Sequence, residues 1–167
     1  HKNWGDQTPL TIVEIGSFEG RSSCWIAENL LGHKSSRLYC IDTFEGSMEH
    51  SEQHKENLYE RFMHNIGCTQ KQDQIHVMVG PSDDKLIELI NNQLTAELIY
   101  IDGSHMAQDV LVDAVLSWKI LKKSGIMIFD DYLWVVDDKD IHKNPKLAID
   151  SFTNVFFKEI KFLAGIR

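Results

Sequence analysis

Residues Leu98–Trp134 read LIYIDGSHMAQDVLVDAVLSWKILKKSGIMIFDDYLW and decide the fold. Two short apolar runs, Leu98–Ile101 and Ile126–Phe129, flank a segment whose apolar residues recur at helical spacing. The recurring positions are Val110, Leu111, Ala114, Val115, Trp118 and Leu121. The lysines Lys122–Lys123 suit the negative end of a helix dipole, and Gly125 can take the left-handed conformation that ends a helix. The stretch therefore predicts a strand, a helix and a parallel strand, joined by a right-handed crossover.

Acidic residues follow both predicted strands. Asp102 comes after the first run, and Asp130 and Asp131 come after the second. Parallel strands end at one edge of a sheet, about 5 Å apart when they are neighbours, so the three carboxylates should converge. Grouped like charges cost free energy unless a cation compensates them, and a hard divalent ion such as Mg²⁺ suits oxygen ligands. Alternatively, these aspartates only cap helices or occupy solvated turns. The presence of three acids at one edge makes that interpretation less favoured.

A histidine accompanies these acids. His105 lies three residues after Asp102, close enough for its imidazole to face the same pocket. An unperturbed imidazole has a pKa of about 6.5, which suits proton removal near pH 7. We therefore expect His105 to act as a catalytic base.

A glycine-containing turn follows the first predicted strand, Leu10–Ile15. Gly16 allows a tight turn and Gly20 allows the backbone to approach a ligand closely. A helix is predicted from Ser22 to Leu31. Its expected buried face is Trp25, Ile26 and Leu30. The spacing Gly16-x-x-x-Gly20 departs from the dinucleotide pattern GxGxxG, so taken alone an ordinary strand-to-helix turn is an equal alternative.

The acid Asp42 ends a second predicted strand, Arg37–Ile41, about 20 residues beyond Gly20. An acid at this place accepts hydrogen bonds from ribose hydroxyls in nucleotide-binding folds, and a turn aspartate is the alternative. Glu14 and Glu19 beside the loop would repel a pyrophosphate but suit a cationic sulfonium. The charges therefore favour S-adenosylmethionine over NAD.

Further strands and helices alternate along the chain. The sequence predicts a helix with the inner stripe Leu58, Phe62, Ile66 and Met63 that ends near Gly67, a strand Ile75–Val79, a helix Asp83–Asn92, a helix Lys146–Phe156 and a strand Glu159–Ala164. This alternation predicts a doubly wound, Rossmann-like three-layer αβα sandwich with a mostly parallel sheet, formed as a single domain over residues 1–167.

For three further features, the sequence supports two interpretations each. Ser82 either caps the helix that follows it, which is favoured, or faces an adenine. His50 and His54 have the spacing of a helical metal pair, but a solvated helix entrance is favoured because no further ligand accompanies them in order. The connection Tyr132–Pro145 is either a lid over the ligand edge or an ordinary surface loop.

Composition excludes several classes of protein. Lys and Arg number 17 against 25 Asp and Glu, a net charge of −8, which disfavours nucleic acids and anionic membranes as partners. Apolar runs are too short for a transmembrane helix, and no signal peptide precedes the first strand. Cys24, Cys40 and Cys68 are widely spaced and odd in number, which indicates reduced thiols in a cytoplasmic protein.

Several stretches together resemble class I S-adenosylmethionine-dependent methyltransferases. The chain is most similar to a small bacterial group with the motifs VEIGSxxGRSS, IDTxEG, IDGSH, GGxxxFDDY and PxxAIDxF. These stand here at Val13–Ser23, Ile41–Gly46, Ile101–His105, Gly125–Tyr132 and Pro145–Phe152. The pair IDGSH and FDDY is the specific part. Phe18 and Ser124 depart from glycines that are common in such enzymes.

The resemblance implies roles for individual residues. In the similar metal-dependent macrolide-sugar O-methyltransferases, acids at the positions of Asp102, Asp130 and Asp131 hold Mg²⁺ and a histidine at that of His105 is the base. Catechol O-methyltransferases are similar in layout but carry lysine and asparagine at two of these positions. The cofactor pocket would then be lined by Glu14, Gly16, Ser17, Gly20, Ser22, Asp42, Thr43, Gly80, Ser82 and Asp102.

We therefore expect a methyltransferase that uses S-adenosylmethionine, and Mg²⁺, to methylate a hydroxyl of a small molecule. The family's seventh strand would be missing, and an exposed sheet edge would favour a homo-oligomer. A metal-independent methyltransferase of the same fold is the main alternative. An NAD-dependent oxidoreductase would need the GxGxxG loop, and a receiver-like signalling module would place its acid pair after the first strand.

Overall fold

The computed structural model describes residues 8–46, 55–135 and 137–163. Strands and helices alternate along this part of the chain. The strands are β1 (Thr11–Ile15), β2 (Arg37–Asp42), β3 (Ile75–Val79), β4 (Ala96–Ile101) and β5 (Leu121–Phe129). The helices are α1 (Arg21–Leu30), α2 (Leu58–Cys68), α3 (Ser82–Asn91), α4 (Ala107–Ile120) and α5 (Pro145–Val155), with short 3-10 turns at Gln72–Gln74 and Ile141–Lys143.

The strands form one parallel sheet in the order β3-β2-β1-β4-β5. Strand β1 lies at the centre because its sequence is apolar on both faces: Ile12 packs into one hydrophobic cluster and Val13 into another. The first cluster joins the sheet to α1 and α2, and the second joins it to α3, α4 and α5. The three-layer sandwich predicted from the sequence is confirmed.

The crossover to β5 differs from the prediction. Helix α4 ends at Ile120, so the lysine pair and Gly125 belong to β5 rather than to the end of a helix. The left-handed residue in this region is Ser124, with φ of 66°. Gly125 is required for space, because a Cβ there would lie 2.9 Å from the backbone oxygen of Lys122. The predicted helix termination was wrong because a register shift lets β5 begin earlier, at Leu121 beside Ala96.

Two further predictions change, and a third is not tested. Trp25 is 58% exposed, because the buried face of α1 is formed by Ser23, Ile26 and Ala27. Residues 159–163 of the predicted final strand lie outside the sheet, and Phe162 among them is exposed. His50 and His54 lie outside the described residues.

The described helices include none long and apolar enough to cross a membrane. The three cysteines form no disulfide.

Candidate active site

Backbone hydrogen bonds continue the sheet one step beyond the strands and align their carboxyl ends. Gly80 N donates to Asp42 O (2.9 Å), Gly16 N donates to Ile41 O (2.9 Å), Asp102 N donates to Ile15 O (2.8 Å) and Asp130 N donates to Ile101 O (3.0 Å). The loops that follow β3, β1, β4 and β5 therefore start at fixed positions along one edge. This is the edge where ligands bind in open α/β sheets.

The glycine loop lies against the residue that begins the acidic cluster. Gly16 has φ of +83°, and a Cβ built there would lie 2.0 Å from the carbonyl oxygen of Asp102. Gly20 has φ of +85° and precedes α1, where a Cβ would meet the ring of Phe62 at 2.9 Å. Only glycine fits both positions, because each combines a left-handed backbone with a close neighbour.

A buried glutamate stabilises this loop through hydrogen bonds. Glu14 is 0% exposed, and its Oε2 accepts hydrogen bonds from the hydroxyls of Ser17 (2.7 Å) and Ser23. Burial raises the pKa of Glu14, and the hydroxyls of Ser22, Ser23 and Ser17 oppose that rise. Glu14 does not line the cavity, so its predicted contact with a cofactor is replaced by a role in holding Ser17.

The charge argument drawn from the loop also changes. Glu19 pairs with Arg61, whose Nε lies 3.0 Å from its Oε1, and Glu14 is sealed under the loop. Glu14 is therefore not placed to meet a sulfonium directly, whereas Glu19 lines the cavity.

Asp42 holds the loop together. Its Oδ2 accepts the backbone N–H groups of Ser17 and Phe18, both at 2.8 Å, and its Oδ1 accepts that of Phe44 at 2.7 Å. Charge-assisted bonds of this kind are about twice as strong as neutral ones. Asp42 also lines the cavity, and Oδ1, which accepts a single backbone N–H, has a second lone pair with which to accept a ribose hydroxyl.

A cavity of about 1670 Å³ runs along this edge of the sheet. Most residues predicted to bind a cofactor line it, and they are Gly16, Ser17, Ser22, Asp42, Thr43, Gly80, Ser82 and Asp102. Glu14 and Gly20 lie outside its wall. Ser82 does not cap α3, because Pro81 occupies the N-cap position and no side-chain cap bond forms. The exposed Trp25 also lines the cavity.

Two of the three predicted acids converge with His105 in the same cavity. Asp102, His105 and Asp131 bring ligand atoms within 4.8 Å of one another. Nε2 of His105 lies 2.9 Å from Oδ2 of Asp131. This geometry is reached because Asp131 has φ of 56°, which turns the chain directly after β5.

Asp130 departs from the predicted set of metal ligands. It is absent from the group of three, and its Oδ1 accepts the backbone N–H of Asp131 at 2.9 Å. Its Oδ2 accepts the hydroxyl of Tyr100. The consecutive acids diverge because the turn at Asp131 sends the two side chains in different directions.

Tyr100 is a site residue that sequence reasoning missed. Its hydroxyl lies within hydrogen-bond distance of both Asp130 and Asp102, the latter at 3.2 Å. Desolvation, followed by these two acids, raises the pKa of Tyr100, so its hydroxyl keeps its proton and can donate. The available signal was its place in β4, two residues before Asp102 and so on the same face of the strand.

The cluster is electrostatically strained. Burial, followed by the charges of Asp130 and Asp131, raises the pKa of Asp102 to about 7. The Tyr100 hydroxyl opposes this shift. A positive charge bound here would relieve it.

The segment after β5 is held beside the cluster. The ring of Trp134 lies 5.4 Å from that of His105. Tyr132 donates to Asp150 Oδ1 at 2.8 Å, and Lys146 bonds Asp150 Oδ2 at 2.7 Å, which ties the segment to α5. The motifs FDDY and PxxAIDxF thus contact each other.

Solved structures with this fold include O-methyltransferases. The O-methyltransferase from Bacillus cereus, in complex with SAH, superposes with a TM-score of 0.68 and 22% identity, over 90% of this chain and 63% of that one. CalS11, a TDP-rhamnose 3'-O-methyltransferase in calicheamicin biosynthesis, gives a TM-score of 0.59 and 18% identity, over 86% and 63%. At these sequence identities, the structural similarity shows that the fold is shared and nothing further.

A curated relative and a family model add sequence evidence. The uncharacterized protein R132 of Acanthamoeba polyphaga mimivirus is 29% identical over 133 residues, which is 78% of this chain and 55% of that protein. The chain thus spans less than two thirds of the length of these relatives. The family model described as "Methyltransferase domain" matches residues 13–132, from β1 to the residue after the second aspartate of the cluster. Because that match covers most of the chain, the protein belongs to this methyltransferase-domain family.

Proposed function

We propose that this domain transfers a methyl group from S-adenosylmethionine to a hydroxyl of a small molecule, of the sugar or natural-product type, with the assistance of Mg²⁺. The observation that carries the proposal is one cavity that joins the glycine loop and Asp42 to the pair His105–Asp131. Membership of the methyltransferase-domain family supports it, as does a fold shared with O-methyltransferases.

Two groups of residues in the cavity wall would have different roles. The loop from Gly16 to Gly20 and the carboxylate of Asp42 would bind the donor, which supplies an already activated methyl on a sulfonium. The acidic end would hold the acceptor hydroxyl in line with that methyl, and such positioning carries much of the rate in reactions of this kind.

His105 would remove the proton of the acceptor. The carboxylate of Asp131 accepts a hydrogen bond from the Nε2–H of His105 and so orients the imidazole. The imidazole would take the proton of the hydroxyl, and Asp131 would stabilise the imidazolium that results. The pair has the geometry of a base and the group that orients it.

The residues present fit a divalent cation. The carboxylates of Asp102 and Asp131 would hold it, and the raised pKa of Asp102 indicates charge that a cation would compensate. When bound, the metal would make a coordinated hydroxyl more acidic. Two carboxylates suit Mg²⁺, whereas coordination by His105 as well would shift the preference towards Mn²⁺ or Zn²⁺.

The decisive experiment combines binding and turnover. Calorimetry with S-adenosylhomocysteine should show binding to the parent, and labelled S-adenosylmethionine should transfer its methyl to members of a panel of sugar and phenolic hydroxyls in Mg²⁺. Asp131→Asn should lose both the Mg²⁺ response and turnover, whereas Asp138→Asn, an exposed acid of the following loop, should behave as the parent.

Each failure has a distinct meaning. Turnover that survives a chelator would favour the metal-independent methyltransferase. Binding of NAD in place of S-adenosylhomocysteine would favour an oxidoreductase, and phosphorylation by acetyl phosphate would favour a receiver-like module. We also infer a cytoplasmic location without nucleic-acid or membrane partners, which the three free cysteines and the net charge of −8 support.

A further inference from the structure

A group of side chains outside the cavity links α5 to the segment that follows β5. The hydroxyl of Tyr132 donates to Oδ1 of Asp150 at 2.8 Å, and Nζ of Lys146 lies 2.7 Å from Oδ2 of the same carboxylate. Nζ of Lys146 also lies 4.5 Å from the centre of the Tyr132 ring. These three residues do not line the cavity, so the function proposed above leaves their contact unexplained.

Stability alone is a weak reason for this contact. The side chains of Lys146 and Asp150 are 51% and 45% exposed, and exposed ion pairs contribute little to stability because water and salt screen them. The hydrogen bond from Lys146 lowers the pKa of Asp150, so the carboxylate is ionised at neutral pH and is a strong acceptor for the Tyr132 hydroxyl. The contact is therefore better suited to orient Tyr132 than to stabilise the whole fold.

Tyr132 directly follows a residue in a strained backbone conformation. Asp131 has φ of 56°, which is unfavourable for a residue other than glycine and persists only where the surrounding structure holds it. Within the turn, the N–H of Asp131 donates to Oδ1 of Asp130 at 2.9 Å, and its carbonyl oxygen accepts the N–H of Trp134 at 2.8 Å. The bond from Tyr132 to Asp150 holds the same turn from outside, because it joins the next residue to α5.

The ring of Tyr132 also contacts the helix that follows the imidazole. It packs against the hydrophobic cluster Ala107, Val110, Ala148 and Ile149. Ala107 begins α4 only two residues after His105. Tyr132 thus lies against the start of α4 while its hydroxyl is held by α5.

We propose that Asp150 is a positioning residue of the active site and acts through the hydroxyl of Tyr132. The contact fixes the direction in which the carboxylate of Asp131 meets the imidazole of His105. Hydrogen bonds of the sheet fix where β4 and β5 end, whereas the turn at Asp131 decides where its side chain points. The effect on turnover rests on the proposed function, but the effect on the arrangement beside the imidazole does not.

The first test is NMR spectroscopy of the whole chain in chelator. The ring of Trp134 lies 5.4 Å from that of His105, so its ring current should displace the carbon-bound proton signals of the imidazole. His105→Gln assigns these signals, and Trp134→Leu measures the displacement. Tyr132→Phe and Asp150→Ala should each lose most of it, because the segment is no longer anchored to α5. Asp150→Asn should keep it, because the amide oxygen can still accept the hydroxyl.

The second test is turnover in Mg²⁺. Tyr132→Phe and Asp150→Ala should lower kcat by about 10- to 100-fold, because a small misplacement of reacting groups has a large effect on rate. The affinity for S-adenosylhomocysteine should stay that of the parent, since the glycine loop and Asp42 follow other strands. The double variant should have no lower kcat than either single one, because both substitutions remove the same bond. Tyr59→Phe, on the exposed side of α2, is the matched control.

Three results would overturn the proposal. The first is an imidazole spectrum that stays that of the parent in Asp150→Ala, whatever the value of kcat. The second is a kcat that falls together with the affinity for S-adenosylhomocysteine, or that falls equally in Tyr59→Phe, because either would indicate a general loss of structure. The third is a changed spectrum with an unchanged kcat, which would make the contact purely structural.

The two tests also separate this proposal from the proposed function. Because the side chain of Asp150 is 45% exposed, Asp150→Ala carries the test even if Tyr132→Phe does not fold. A parent that transfers no methyl group would refute the proposed function. The spectra would still decide whether Asp150 sets the arrangement beside His105.

Discussion

Nε2 of His105 and Oδ2 of Asp131 lie 2.9 Å apart although one residue follows β4 and the other follows β5. Hydrogen bonds from Asp102 N to Ile15 O and from Asp130 N to Ile101 O fix the ends of these strands to their neighbours. The distance between base and orienting acid is therefore set by the sheet, and the surrounding loops have little freedom to alter it.

Replacement of His105 tests the base. His105→Ala should lower kcat by about 10²- to 10⁴-fold, the usual contribution of a general base, while the affinity for S-adenosylhomocysteine stays that of the parent. Steady-state kinetics and calorimetry measure the two quantities. His64→Ala, on the exposed face of α2, is the matched control. Equal losses of affinity and turnover in His105→Ala would show that the imidazole only supports the cavity.

Asp42 is expected to have two separable roles. Asp42→Ala should weaken S-adenosylhomocysteine binding by about 10- to 150-fold, because a charged acceptor of ribose hydroxyls is lost. It should also lower the melting temperature, because three backbone N–H groups lose their acceptor. An analogue without ribose hydroxyls separates the roles in a double-mutant cycle. If Asp42→Ala weakens that analogue as much as the natural compound, Asp42 only holds the loop.

Gly16 should tolerate no side chain. Gly16→Ala places a methyl group 2.0 Å from the carbonyl oxygen of Asp102 and forces an L-residue to keep φ at +83°. The backbone conformation alone costs about 1–2 kcal/mol, and the overlap with main-chain atoms adds to it. Chemical denaturation should show a loss of about 3 kcal/mol or more.

A second glycine provides the control for that measurement. A Cβ at Gly67, in the last turn of α2, would meet nothing within 4 Å. Gly67→Ala should therefore raise stability by about 0.5–1 kcal/mol, since alanine loses less backbone entropy in a helix. A similar response at both positions would contradict the close approach between the loop and Asp102.

The acidic cluster predicts how stability depends on pH. The pKa of Asp102 is raised from 3.8 to about 7, so the folded protein binds this proton more tightly than the unfolded chain does. Stability from this group is complete below pH 3.8 and is lost as the pH rises towards 7. In chelator, the melting temperature should fall between pH 5 and pH 8, and it should fall less in Asp102→Asn.

An exposed acid controls for general charge effects. Asp84→Asn, in the first turn of α3, removes one negative charge from a residue that does not line the cavity. It should leave the slope of melting temperature against pH as in the parent. If Asp102→Asn and Asp84→Asn change the slope equally, net charge rather than the cluster sets the pH dependence.

Periodicity and strand-end residues were sufficient to predict the sandwich and most of the site. The apolar runs predicted the bounds of each strand of the sheet to within two residues, except for β5. Strand β5 starts earlier than predicted because of a register shift. Asp102, His105 and Asp131 could be placed together because parallel strands share an edge. These features follow from local sequence and from the general geometry of a parallel sheet.

The remaining errors depend on contacts between elements. Helical spacing identifies the faces of α1 but does not say which one meets the cavity, so Trp25 was misplaced. A tyrosine is common in any strand, and the role of Tyr100 appears only when β5 lies beside β4 and brings Asp130 to its hydroxyl. Asp130 lies outside the group of three because a turn at the next residue separates two acids that are adjacent in the chain.

The strand order β3-β2-β1-β4-β5 also implies an order of events during folding. The first three strands are consecutive in sequence and pair with one another, so they can form a sheet that already contains the glycine loop and Asp42. Strand β4 must then close a long loop to reach β1, which is entropically costly and slow. We therefore expect the growing chain to complete the donor half of the cavity first, and to assemble the acidic half only when β4 and β5 have docked.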